Sequence, residues 1–417
     1  MNRLTQLFSR KTLQSWSGRA PAALQVAKDC LLGLLAGLAA VCFSDLTDRI
    51  FNGTIGRFAT LGRTEFLVGS FVMVVGASLI CGWLIAKVCP EAAGSGIPQL
   101  KVAFWKDCGY VPWRVLFVKF VGGVISIGGG VSLGREGPSV QVGGALSSGI
   151  DGAFGSAKQQ RRAPCAAGAA AGLAAAFNTP LAAITFVLEE IIGDMNSRVL
   201  SGVVLAAIMG AFAVHALNGP QPAFQLSITG EARWTVYPLA IVVAACAALV
   251  GVAFQAFSLG IRRRCRGWEL VPLWLRPSLG GIAIWVLGVS VWLWSGRLAV
   301  FGLGYHDLSD ILRGNFPWLL ALVLLGAKFF ATVTAYGTGG LGGIFAPALF
   351  LGAAVGATLA GLAAQWLPLA PNDQTMLMVV GMSATLGALV RAPLTSILIL
   401  FEMTHDFSVV PGLMLAT

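Results

Sequence analysis

Hydrophobic positions in this chain come in long unbroken runs, not in the spaced patterns of soluble helices and strands. "FLVGSFVMVVGASLICGWLIA" begins at Phe66, "YPLAIVVAACAALVGVAFQAF" at Tyr237 and "FPWLLALVLLGAKFF" at Phe316. About 20 apolar residues cross the hydrocarbon core of a bilayer. The runs therefore predict transmembrane helices and an all-α polytopic membrane protein. Four short segments break the pattern where hydrophobicity places the membrane: "GSGIP" (94–98), "GREGP" (134–138), "FNTP" (177–180) and "GGIFAP" (342–347). Backbone inside a bilayer must find hydrogen-bond partners unless it lines a cavity. Three of these segments carry glycine, which permits unusual φ, and each carries a proline where a helix would start.

The pattern also repeats. "GAAAGLAAAFNTPLAAITFVLEE" (168–190) aligns with "GMSATLGALVRAPLTSILILFEM" (381–403), matching at Gly168/Gly381, Pro180/Pro393 and Glu189/Glu402 among others. Upstream, "GREGP" answers "GIFAP" (343–347). Motif order is the same in both halves, so the chain reads as two related repeats, about 30–216 and about 236–417, behind a basic segment 1–29. Repeats broken at corresponding places point to a transporter binding site at their interface. The sequence by itself leaves the relative orientation of the repeats open.

Composition supports the membrane reading. Of 417 residues, 56% are hydrophobic and 11% charged, against about 25% charged in soluble domains. The 53 glycines are close to twice the usual share of about 7%, and "CAAGAAAGLAAAF" (165–177) suits close helix packing. The net charge of +10 sits in short linkers: Lys158, Arg161 and Arg162 in one, Arg262, Arg263, Arg264 and Arg266 in another. That is the positive-inside pattern of cytoplasmic segments, and it offers no basic face for nucleic acid. The segment before the apolar run Leu31–Phe43 reads as a cytoplasmic lead-in to a retained helix, not a cleaved leader. The eight cysteines are scattered singly. They predict neither metal site nor disulfide framework, and Cys30, Cys42, Cys81 and Cys246 are expected to be buried as small hydrophobes.

The broken segments carry the candidate chemistry. A helix starting there exposes free N–H groups and a dipole end worth about half a positive charge. Several such ends converging make an anion site from partial charges, which suits a halide that must bind and leave quickly. Gly94, Ser95, Gly96 and Ile97 form one wall, with the Ser95 hydroxyl as a further donor. Glu136 lies in the turn Gly134–Pro138. Ionised, its carboxylate is an anion that could fill the site; protonated, it could swing away and act as gate and proton carrier at once. Arg135 is placed to brace that turn, together with Gly134, Gly137 and Pro138. Glu189 has a repeat mate and reads as structural. Glu190 faces Met403 in the other repeat and reads as a proton-handling residue.

These motifs, "GSGIP", "GREGP" and "GGIFAP" in this order on a polytopic chain, resemble the CLC family of chloride channels and chloride/proton exchangers from about Leu31 onward. The resemblance implies two inverted-topology repeats and a homodimer with a pathway in each subunit. It implies a central anion site formed by Ser95 and the backbone N–H groups of Ile344 and Phe345. Glu136 falls on the family's external gating glutamate, and Glu190 on the internal glutamate that passes protons in exchangers. Serine in "GSGIP" is similar to the chloride-preferring members. The implied partners are chloride, protons and the lipid bilayer of a bacterial inner membrane, with no cofactor, metal or nucleic acid. The family's anion site also takes a tyrosine hydroxyl from a final helix. Tyr110, Tyr237, Tyr305 and Tyr336 do not match it, and the sequence stops at "VVPGLMLAT", so the C-terminal helix is expected to be incomplete and no regulatory domain is expected to follow.

The sequence is also compatible with other readings. A passive voltage- or pH-gated chloride channel differs from an exchanger only in coupling, and a transporter of fluoride or nitrate differs in the Ser95 segment. "GVSLG" (130–134) fits the nucleophile-elbow pattern around Ser132, but His215, His306 and His405 all lie outside the glycine-broken segments, so the chain is not expected to be an enzyme.

Overall fold

The computed structural model describes residues 10–195, 199–219, 224, 226, 232–314 and 316–417. Its helices fall into two series in the same order. The first runs α1 (Arg10–Phe51), α2 (Arg63–Trp83), α3 (Ile97–Lys106), α4 (Trp113–Gly128), α5 (Glu136–Ala153), α6 (Arg162–Phe177), α7 (Pro180–Phe186) and α8 (Leu200–Asn218). The second runs α9 (Tyr237–Arg266), α10 (Arg276–Ser295), α11 (Tyr305–Leu312), α12 (Trp318–Gly337), α13 (Phe345–Ala363), α14 (Pro371–Val390), α15 (Pro393–Thr404) and α16 (Val410–Ala416). Among the described residues, eight helical stretches are long and apolar enough to cross a membrane. The predicted breaks fall at helix starts. Pro98, Pro180 and Pro393 sit at the first or second position of α3, α7 and α15, where the missing N–H costs nothing.

The centre is made by α5 against α6 and by their counterparts, α13 against α14. The apolar windows of α13 and α14 are 78% buried, against 33–50% for the other spans, so these two helices face protein and the others face lipid. Small residues allow the approach. A methyl group on Gly168 of α6 would lie 2.2 Å from the carbonyl oxygen of Gly143 in α5, and one on Gly381 of α14 would lie 2.2 Å from that of Gly352 in α13. No larger residue fits either crossing without separating the helices.

Reciprocal hydrogen bonds reveal how the halves are related. The carboxylate of Glu402, near the end of α15, accepts the N–H groups of Leu181 and Ala182 at the start of α7. Glu189, just beyond α7, accepts those of Leu394 and Thr395 at the start of α15. Each helix is capped by the far end of the other, so α7 and α15 run antiparallel about a local two-fold axis. Gly134 and Gly343, from corresponding breaks of the two repeats, pair in the same antiparallel sense. Their backbones exchange N–H···O bonds at 2.7 and 2.6 Å in an antiparallel bridge. The repeats are therefore inverted, which resolves the orientation that sequence left open.

The Glu189 and Glu402 caps are stability elements. Exchanging Glu402 for Gln leaves one acceptor facing two N–H groups and puts an amide donor beside the other. A charge-assisted hydrogen bond contributes about 1.5–3 kcal/mol, so Glu402→Gln is expected to cost about 2 kcal/mol. Thermal unfolding in detergent measures this, and an unchanged midpoint would remove the cap from the energetics of the repeat interface.

The cysteine expectation holds only in part. Cys81 is buried, as are Cys89, Cys165 and Cys265, but Cys30 and Cys246 are half-buried and Cys42 is exposed. Cys42 lies on a face of α1 that the other described helices leave uncovered, where a small hydrophobe meets lipid at no cost.

Candidate functional site

The three glycine motifs meet where the two repeats are bridged. Gly94 donates its N–H to the Gly340 carbonyl at 3.2 Å, and Gly342 donates to the Gly94 carbonyl at 3.4 Å. With the Gly134–Gly343 bridge beside it, this short ladder ties "GSGIP" and "GREGP" to "GGIFAP". The glycines are required by contact. A methyl on Gly137 would lie 2.5 Å from the Ser95 carbonyl oxygen, and one on Gly134 would lie 2.4 Å from a carboxylate oxygen of Glu136. Pro138 occupies the third position of α5, behind the turn.

Two cavities flank this node. One, of about 390 Å³, is lined by Ser95, Ile97, Ile344 and Phe345, and also by Glu190 and Lys101. The predicted donors and the predicted inner carboxylate thus share one space. An adjoining cavity, which shares Pro98 and Leu259 with it, is lined by Lys158, Arg262, Arg263 and Arg266. By the positive-inside rule these basic residues mark the cytoplasmic end, so the cavity holding Ser95 and Glu190 opens inward. The second flanking cavity, about 530 Å³, is lined by Asp48, Arg297, Tyr305 and His306.

Glu136 is sealed between them and fully buried. Its Oε1 accepts from the Tyr305 hydroxyl at 2.7 Å, and its Oε2 lies 3.4 Å from the N–H of Ala346 at the start of α13. Arg135 does not touch the anion-site donors. It pairs with Asp48 of α1 at 2.9 Å, and its guanidinium lies 5.4 Å from the centroid of the Tyr305 ring.

Glu190 lies on the widened turn Val187–Ile192 that follows α7. It pairs with Lys101 of α3 at 3.3 Å, with both side chains partly exposed to the inner cavity. Glu189, its neighbour, points away to cap α15, so adjacent carboxylates have separate jobs.

One expected anion donor drops out. The N–H groups at the "FNTP" break are consumed by Glu402, so this break serves the repeat interface and not an anion. Three residues were missed by reading the sequence alone. Lys119 is fully buried, and its ammonium bonds the carbonyls of Ala92 and Gly94 beneath the Ser95 turn. Lys328 is its buried analogue on α12, and Tyr305 is the partner of Glu136. A lysine inside a hydrophobic run was the available signal for the first two, since such a charge is costly unless paired. Ser132 is buried with its hydroxyl against that of Thr332 at 3.0 Å.

An α-helical membrane protein of two inverted repeats, with broken helices gathered at their interface, is the class that this architecture defines. The chain belongs to the voltage gated chloride channel family, whose model matches residues 76–417. It is similar to the H(+)/Cl(−) exchange transporter ClcA of Salmonella paratyphi A, 31% identical over 388 residues covering 91% of this chain and 81% of that protein. ClcA of Vibrio cholerae serotype O1 is 31% identical over 405 residues, covering 93% and 83%. In fold it is similar to a slow cyanobacterial Cl−/H+ antiporter, with a TM-score of 0.82 and 24% identity over 94% of this chain and 92% of that one. A CLC-type fluoride/proton antiporter superposes with a TM-score of 0.76 at 20% identity, covering 98% and 94%.

Proposed function

We propose that this protein is a secondary active transporter that exchanges chloride for protons across the bacterial inner membrane, working as a homodimer with one pathway per subunit. The observation that carries this reading is the position of Glu136. A carboxylate is buried among hydrogen-bond donors between an inward and an outward cavity, where a small anion would otherwise pass. Chloride binds at the Ser95 hydroxyl and the N–H groups of Ile344 and Phe345, held by partial charges that let it leave again. The Glu136 carboxylate sits at the start of α13 beside the Ile344 and Phe345 donors, with the Ala346 N–H next along that turn, so it blocks the path that chloride takes past them. Protonation removes the attraction that holds Glu136, so the carboxyl swings out and chloride moves. Glu190 passes protons between the inner cavity and Glu136. The repeats, about 30–216 and about 236–417, each supply half of the pathway. The names of the 31%-identical relatives, both H(+)/Cl(−) exchange transporters, favour coupled exchange over a passive channel.

Purified protein in chloride-loaded liposomes, with external chloride and pH recorded together, tests the proposal. Under an outward chloride gradient, protons are expected to enter and to continue moving uphill. Chloride efflux with a flat pH trace would make the protein a channel.

A further inference from the structure

The second repeat contains a glycine-broken turn that the hydrophobic pattern hides. "GSGIPQL" (94–100) aligns residue by residue with "GLGYHDL" (302–308), placing Gly94 on Gly302, Gly96 on Gly304, Ile97 on Tyr305 and Leu100 on Leu308. The structure repeats the correspondence. Gly94 and Gly96 are left-handed, with φ of 83° and 98°, and so are Gly302 and Gly304, at 55° and 78°. α3 starts at Ile97 and α11 at Tyr305. The Gly94 N–H bonds a carbonyl in the break of the second half, Gly340, and the Gly302 N–H bonds one in the first half, Gly130. Even the buried lysine is duplicated. Lys119 bonds the carbonyls of Ala92 and Gly94, and Lys328 bonds those of Ala299 and Gly302.

The fold thus builds one lysine-pinned turn on each side of the pseudo-axis. The inner copy offers the Ser95 hydroxyl to the inner cavity. The outer copy has leucine at the matching position, Leu303, and its hydroxyl comes from Tyr305. We propose that Tyr305 is the positioning residue of the gate: its hydroxyl holds the Glu136 carboxylate in the outer position, and breaking that hydrogen bond is part of every opening. This rests on the reading of Glu136 as the gate.

The ring is held on several sides. Phe224 meets it edge-on at 5.5 Å between centroids, the Arg135 guanidinium lies over it at 5.4 Å, and Lys328 fixes the turn from which it projects. A hydroxyl on a ring so confined has one aim. A hydrogen bond to an ionised acceptor is roughly twice as strong as one between neutral groups, so Tyr305 favours the ionised, seated form of Glu136. Other charged groups stand near the pair. Arg135 adjoins Glu136 on α5 and is itself paired with Asp48 on α1. His306 and Asp307 follow Tyr305 on α11, with Asp307 paired to Arg297 from the preceding loop. Lys328 lies beneath on α12, and α13 contributes the Ala346 N–H. Among these groups, Tyr305 is the one whose side chain donates a hydrogen bond to the Glu136 carboxylate.

The test is chloride/proton exchange in liposomes as a function of pH, for the full chain and for Tyr305→Phe, which keeps the ring. Without the donor the carboxylate is released at lower proton concentration, so the pH of half-maximal exchange is expected to rise by about one unit. In a Glu136→Ala background, where no carboxylate remains to titrate, Tyr305→Phe is expected to leave the pH dependence unchanged, whatever it does to the size of the chloride flux. 3-Fluorotyrosine placed at 305 keeps the hydroxyl and strengthens it as a donor, and is expected to lower the same midpoint; it also serves if the phenylalanine variant fails to fold. An unmoved midpoint in both Tyr305 variants, or an equal shift with and without Glu136, would overturn the proposal. If Glu136→Ala itself stays coupled and pH-dependent, the gate reading fails instead, and the two failures are told apart by that single variant.

Discussion

Glu136→Ala is expected to conduct chloride while losing all uphill proton movement, and its flux is expected to become nearly independent of pH. The wild-type carboxylate is completely enclosed, seated against the Tyr305 hydroxyl and near the Ala346 N–H at the start of α13. Removing it leaves a gap of about the size of one anion, lined by the same donors. A helix N-terminus accepts an anion without a full positive charge beside it, so chloride takes the vacated place and the pathway opens. On the proposed reading, protons then lose the carboxyl that carries them between the outer side and the inner cavity. Flux is expected to stay within about tenfold of wild type, since a change of 1.4 kcal/mol in the barrier is already a factor of ten. Paired chloride and pH recordings in liposomes give both results at once. Persistent uphill proton transport would show that Glu136 is neither gate nor carrier.

Much of this architecture can be read from the chain because its signals are local. Unbroken apolar runs announce the spans, and glycine with proline inside such a run announces a break. Glu136 stands out because a carboxylate has no ordinary reason to lie among glycines in a greasy segment. The Glu189/Glu402 match marks the repeat in the sequence itself. What escaped was non-local or disguised. The turn at Gly302–Gly304 lacks proline, and the polar pair His306 and Asp307 after it looks like a surface turn, so its kinship with "GSGIP" appears only when the φ angles and the Lys328 contacts are seen. Tyr305 finds Glu136 across 169 positions of sequence, which no periodicity encodes. The "FNTP" break resembles the anion-binding breaks in composition, and only the distant carboxylate of Glu402 distinguishes it. Cys42 went astray because hydropathy does not separate a face turned to lipid from one turned to protein.

Glu190→Ala is expected to uncouple the two ions as well, by a different route and without disturbing the fold. The side chain sits on the widened turn after α7, partly exposed in the inner cavity, with Lys101 at 3.3 Å as its ion-pair partner. A half-exposed pair of that kind is worth about 0–1 kcal/mol, so its loss costs little stability. The neighbouring Glu189 makes the contrast. Its carboxylate accepts the Leu394 and Thr395 N–H groups and the Thr395 hydroxyl, so replacing it damages the repeat interface. Glu190 has no such duty, and Met403 in the matching place of the other repeat shows that the turn does not require a carboxylate. A carboxyl facing the inner water, on the same cavity wall as Ser95 and Phe345, is placed to exchange protons with the cytoplasm and relay them inward to Glu136. With alanine there, chloride is expected to keep moving under its own gradient while the pH trace stays flat. Glu190→Gln, which keeps the shape but cannot take up or release a proton, is expected to match it. Should either variant still drive protons uphill, the inner proton path runs elsewhere, and Glu190 is reduced to the counter-charge of Lys101.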